Sequence, residues 1–192
     1  MASEDDKDLA IVKRFQSGDP SAFDDLMKEY KKQMFSYVYR SVKNWEDTDD
    51  LVQDIFIKVF QALPRWKPKA KFSTWLYTIA RHVCIDYHRV KSRKSFSYSI
   101  DDEEVIYGMP SADDIASDPE KVVIEKETSK MIQSALEQLS DRQKAVFVLY
   151  HYEGLKYKEI AEVLGLAEGT VKIHQHRAVE KLRELLKPLQ DV

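Results

Sequence analysis

Cysteine is almost absent from this 192-residue chain: Cys84 stands alone, so neither an internal disulfide nor a cysteine-built zinc cluster can form. Its neighbours Ile79, Ala80, Val83 and Tyr87 predict a packed thiol. No run of about 18 apolar residues is present to cross a bilayer, and Met1 to Asp8 is acidic rather than a basic stretch leading into an apolar one. A cytoplasmic protein without membrane insertion is therefore expected. Alternating strand patterns are missing too. Against these absences, 43% hydrophobic content supplies enough apolar surface for one large core or two small ones.

The formal net charge is only -3, but the charges are segregated. From Arg65 to Lys94 nine basic residues face the single acid Asp86, whereas Asp101 to Glu127 holds ten acids and two lysines. Attraction to phosphate depends on the local field, so one segment can grip nucleic acid while another avoids or imitates it.

Helical spacing dominates and predicts an all-α fold. A short first helix carries Leu9, Val12 and Phe15 and stops at Gly18. Asp19 and Pro20 then open a long helix with Phe23, Leu26, Tyr30, Met34 and Val38 inward. A third begins near Thr48, carries Leu51, Val52, Ile55 and Val59, and is stopped by Pro64. A fourth runs from about Ser73 to the Arg93 region on Leu76, Ile79, Val83 and Tyr87. Serine, aspartate, Gly108 and Pro110 break the period from Ser95 to Ser117, the mark of a tether. Asp118 and Pro119 restart a helix reaching Leu139. Ser140 caps the next, which holds Val146, Phe147 and Tyr150 and ends at Gly154. The expected organisation is two small helical domains, residues 8–94 and 128–188, joined by a flexible acidic linker over 95–127.

The last two helices outline a helix-turn-helix DNA reader. Ile160, Ala161 and Leu164 bury one face of the first, Gly165 supplies the left-handed turn and Leu166 plugs it. Glu168, Gly169 and Thr170 open the second, with Val171, Ala178, Leu182 and Leu185 inward and Lys172, His174, His176 and Arg177 outward. Backbone amides at Gly169 and Thr170 can meet a phosphate, and the outward side chains can reach backbone or major-groove edges.

Two constellations mark the first half. Asp50 and Asp54 are four apart with Gln53 between them in angle, so a helix edge displays two carboxylates and an amide. That edge suits a basic or polar partner helix, and it equally suits a solvated helix start complementing the dipole with Glu46, Asp47 and Asp49. Between Arg65 and Trp75, cations alternate with rings: Trp66, Phe72 and Trp75 among Lys67, Lys69 and Lys71. Lysines hold phosphates while flat rings stack on unpaired bases. Trp75 and Phe72 also fit a core role.

Three segments together carry a resemblance. Asp50-Leu51-Val52-Gln53-Asp54-Ile55-Phe56, then Phe72-Ser73-Thr74-Trp75-Leu76 with Ile79-Ala80-Arg81, then Glu168-Gly169-Thr170-Val171-Lys172 with His176-Arg177-Ala178 resemble the signatures of extracytoplasmic-function (group IV) bacterial sigma factors. The likeness spans about Asp8 to Lys187. It implies a sigma region-2 domain followed by a region-4 domain. On that resemblance, Asp50, Gln53 and Asp54, supported by Phe56, dock on core RNA polymerase. Lys67, Lys69, Lys71, Phe72, Ser73, Trp75, His82, Asp86 and Arg89 serve the minus-ten element and its melted strand. Gly169, Thr170, Lys172, Ile173, His174, His176 and Arg177 read the minus-thirty-five element of promoter DNA, and an anti-sigma factor covers the polymerase-binding faces of the free protein. The linker is implied to thread toward the polymerase active site; a plain solvated tether is the other reading of its carboxylates.

Departures from the family pattern are local. His82 stands where many members carry asparagine, Ile173 and His174 where serine and arginine are common, and Gln175 where leucine is. Gln175 lies four residues after Val171 and should lie toward the core, an awkward place for an amide; either that helix is rotated slightly or Gln175 reads a base at the edge of the interface. No enzymatic chemistry, cofactor or small-molecule substrate is expected. The alternatives are a helix-turn-helix regulator that binds duplex DNA without polymerase, and a metal enzyme using His82, Asp86 and His88; exposed rings speak against the first, and the lack of a second ligand helix against the other.

Overall fold

A computed structural model describes residues 4–95 and 131–187, and every regular element among them is helical. Helix α1 (Glu4–Gln16) runs into a turn in which Gly18 takes φ +99°. Asp19 then does two jobs. Its Oδ1 accepts the Ser21 amide at 3.0 Å, heading α2 (Ser21–Val42), and its Oδ2 accepts from Arg14 at 2.7 Å, tying that start to α1. Helix α2 ends at Lys43, which is left-handed at φ 57°, and Asn44 caps α3 (Trp45–Ala62) by accepting the Asp47 amide at 2.9 Å. The expected start at Thr48 is thus three residues late, because Asn44 rather than the threonine is the cap; Thr48 is buried inside the first turn and donates back to the Asn44 carbonyl. Helix α3 ends at Ala62, ahead of Pro64 as expected, and Pro64 sits in the 3-10 turn (Leu63–Arg65) that follows. Helix α4 (Phe72–Ser95) completes the front module.

The expected inward stripe of α2 is buried throughout at Phe23, Leu26, Tyr30, Met34 and Val38, and it meets Val52, Ile55 and Val59 of α3 and Leu76 and Val83 of α4. Leu9, Phe15, Leu51, Ile79 and Tyr87 are only half-buried, at the margin of that core. Each fully buried Leu or Ile stabilises by about 1.5–3 kcal/mol, whereas an exposed ion pair such as Lys7–Glu29 is worth about 1 kcal/mol at most. The apolar stripes therefore set the architecture. Cys84 is buried as expected, and desolvation pushes its thiol up to about 11.

The rear module begins, within the described residues, with α5 (131–137). Ser140 and Gln143 form a reciprocal capping box on α6 (Asp141–His151). Helix α7 (Tyr157–Leu164) closes on Gly165 at φ 64°, and α8 (Glu168–Leu185) follows after Leu166 and Ala167. Ala135, Leu136 and Leu139 pack on Ala178 and Leu182 behind α8. The two modules touch. Helix α7 lies against α4, and one apolar cluster runs from Val12 through Cys84 to Val146, Leu149, Leu155 and Ile160. Apart from Ser95, the last residue of α4, the expected linker lies outside the described residues, as do residues 128–130 and 188 of the expected rear domain.

Candidate docking and nucleic-acid interfaces

Helix α3 presents its acidic edge to solvent: Asp50, Gln53 and Asp54 are all exposed. Gln53 is not between the two aspartates, however. At 3.6 residues per turn it falls to one side of Asp50, where its amide donates to Asp49 Oδ2 at 2.9 Å. On that side lies a groove of about 400 Å³ between α2 and α3, floored by Phe23, Val52 and Phe56 and rimmed by Met27, Ile57 and Phe60. Phe56 is buried in the floor, so it supports the surface from beneath. Ile57 and Phe60 are 53% and 47% exposed, large apolar side chains that the other described residues leave open. The sequence reading passed over both, although each lies one helical turn beyond Gln53 or Phe56 and extends the same face.

The basic-aromatic segment divides. Lys67 and Lys69 project into solvent. Lys71 is clamped instead, with Asp5 of α1 at 2.8 Å and Glu159 of α7 at 3.0 Å, and these partners raise its pKa, the bond to Asp5 most. Phe72 is buried against Tyr30, while Trp66 and Trp75 sit half-buried around it with ring centroids 5.8–6.1 Å apart. In this arrangement Trp66 and Trp75 have ring area left to offer a base, and Phe72 holds them in place. Ser73 is half-buried beside them. Farther along α4, His82 is exposed, and Asp86 and Arg89 pair with each other at 3.2 Å on the open surface. His88 faces Ser41 Oγ at 3.1 Å, and no group of three metal-ligating side chains occurs among the described residues.

Helix α8 carries the third set. Gly169 is exposed at its first turn, but the Thr170 amide is already committed to the Ala167 carbonyl at 2.9 Å, which leaves fewer free donors there than the sequence implied. Lys172 and Arg177 are exposed, as is Ile173 at 52%. His174 is half-buried, with Nδ1 enclosed and without a hydrogen-bond partner. Two of the outward cations are partnered within the helix: Lys172 with Glu168 at 2.7 Å, and His176 with Glu180 at 3.1 Å when protonated. Gln175 faces inward. It is 5% exposed, its Nε2 lies 2.6 Å from His151 Nε2, and its Oε1 is buried without a partner. Desolvation lowers the His151 pKa, which favours the neutral ring able to accept the Gln175 N–H. The structure thus keeps Gln175 toward the core, where its spacing from Val171 puts it, rather than at the rim.

Residues 26–94 match the Sigma-70 region 2 family and residues 129–182 the Sigma-70 region 4 family. The chain is 33% identical over 181 residues to the ECF RNA polymerase sigma factor SigW of Bacillus subtilis, covering 93% of this chain and 96% of that protein. Its fold is similar to that of CnrH, solved in complex with the cytosolic domain of CnrY, at a TM-score of 0.70 and 24% identity over 95% of this chain and 99% of that one. RpoE of Bartonella quintana, solved with the anti-sigma factor NepR, gives a TM-score of 0.67 at 23% identity, with 86% and 96% covered.

Proposed function

We infer the action of this chain from the family to which it belongs, the extracytoplasmic-function sigma factors of bacterial RNA polymerase: it is an alternative sigma factor that joins core polymerase and directs initiation at its own promoters. The observation that carries this reading is the match to SigW, which takes in both modules over 93% of this chain and 96% of that protein. Chemistry stays with the polymerase, and the chain works by binding, in the cytoplasm.

The roles divide by module. The front domain, residues 8–94, meets the polymerase through Asp50, Gln53 and Asp54, with the Ile57–Phe60 groove as the apolar half of the contact. Charge along the rim steers the encounter and the desolvated centre holds it. Lys67, Lys69 and Lys71 take the phosphates of the minus-ten strand, and Trp66 and Trp75, propped by Phe72, stack on bases that leave the duplex. Ser73, His82, Asp86 and Arg89 border the same strand. The rear domain, residues 128–188, lays α8 in the major groove at the minus-thirty-five element, where Gly169, Thr170, Lys172, Arg177 and His176 take phosphate and Ile173 and His174 face base edges. An anti-sigma factor that covers the groove holds the free protein inactive, and residues 95–127 join the modules.

Run-off transcription with purified core polymerase on a randomised promoter library tests the reading. The chain should start transcripts from a narrow set of sequences sharing two spaced elements. Identical starts with and without it would refute the assignment.

A further inference from the structure

The front and rear modules are fastened by polar ties as well as by apolar packing. Lys71 of the DNA-melting segment is held by Glu159 of α7. Lys43, at the end of α2, pairs with Glu137 of α5. The deepest tie is Glu153, in the turn after α6. Its side chain is only 3% exposed, its Oε1 accepts from the Arg40 guanidinium at 2.8 Å, and its Oε2 accepts from the Tyr77 hydroxyl at 2.5 Å. Arg40 also stacks 4.3 Å over the Tyr152 ring. Burial raises the Glu153 pKa, while Tyr77 and Arg40 oppose that rise, so the carboxylate is tolerated there only through front-module partners.

On the functional reading above, this arrangement cannot be the working one. Elements about 25 base pairs apart are separated by about 85 Å of B-form duplex, whereas α4, at 24 residues the longest helix among the described residues, spans only about 36 Å. Modules in direct contact cannot occupy both elements. Residues 96–130, at about 3.4 Å each when fully extended, permit a separation of up to about 120 Å.

We propose that the packed arrangement is a closed resting state and that Glu153 is its latch, a buried carboxylate of the rear module clasping Arg40 and Tyr77 of the front one. The inference rests on the sigma-factor reading. The chemistry makes the latch releasable. A buried ion pair returns little net stability because its desolvation cost offsets its attraction, and on opening both charges regain water with no orphan left behind. Removing one member is different: the other stays buried and uncompensated, but only in the closed form. Closure also gives Lys71 a second partner beyond Asp5, so a DNA phosphate and Glu159 compete for one ammonium.

Small-angle X-ray scattering of the full purified chain tests this. Wild type should give a radius of gyration near the compact-chain value, about 16 Å for this length. Glu153→Ala, and separately the pair Arg40→Ala with Tyr77→Phe, should lower the closed-to-open ratio on the order of 100-fold and enlarge the particle by several ångströms, with helical content unchanged by circular dichroism. Should Glu153→Ala lose helix, the front-side pair decides. Wild type as expanded as the variants, or variants as compact as wild type, overturns the latch. Run-off transcription at saturating core separates the two readings: opened variants that still initiate sustain both, compact variants that initiate refute the latch alone, and a wild-type chain that never directs initiation refutes the function alone.

Discussion

Replacing Gln175 with leucine should stabilise the rear module without changing what it reads. The side chain is enclosed between α8 and the end of α6, with one amide hydrogen bond to His151 and a carbonyl oxygen that has no partner. Gln175→Leu gives up the bond, about 1 kcal/mol, and removes the unsatisfied carbonyl, which costs about 1–3 kcal/mol while it stays buried. His151 is itself exposed, so its ring nitrogen can turn to water. Leucine also matches the volume closely enough to avoid overpacking. The net gain is up to about 2 kcal/mol, each kcal/mol raising the midpoint of a module this small by roughly 4–8 °C. Thermal melts by circular dichroism at pH 8, where the His151 ring is neutral, should register that rise, and selection of minus-thirty-five duplexes from a random library should return the wild-type consensus. A lowered midpoint would show the amide to be a satisfied structural group. A changed consensus would show that it turns outward to the DNA and that the core-facing placement does not describe the bound state.

Two further outcomes bear on the interfaces. Reversing Asp50 and Asp54 to lysine should weaken core polymerase binding by tenfold or more in a fluorescence titration at low salt, with helical content intact because both side chains are exposed; unchanged affinity would move the docking surface off that edge. Changing Lys172 and Arg177 to alanine should reduce the slope of log affinity against log salt by about 0.9 per lost phosphate contact. Since Lys172 must first leave Glu168, its share should be the smaller of the two, and an unaltered slope would place the reader elsewhere.

How much of this was legible in the sequence follows from the range of each interaction. The α2 stripe and the Gly165 turn are local, written in a 3.6-residue period and a left-handed φ, and both appear where expected. The start of α3 was misplaced because two cap formers compete within five residues: Asn44 has its side chain free to accept the Asp47 amide, whereas Thr48 is needed in the core. Phe72 and Trp75 could not be told apart by spacing, since which ring faces Tyr30 depends on how α4 crosses α2. The groove was half visible: period alone puts Ile57 and Phe60 on the Gln53 and Phe56 face, but their exposure depends on no other described residue covering them.

Glu153 is the limiting case. It stands in a turn, outside any helical period, beside residues that read as an ordinary helix end, and its partners lie 113 and 76 positions away. Nothing in its neighbourhood distinguishes it from the solvated glutamates that outnumber it. Only the packing of α7 on α4 brings Arg40 and Tyr77 to its two oxygens, and the same packing draws Lys71 toward Glu159. A residue whose burial depends on two modules meeting carries information about when they meet. For that reason the contacts least visible in the sequence are the ones that bear on regulation, while the periodic ones bear on fold.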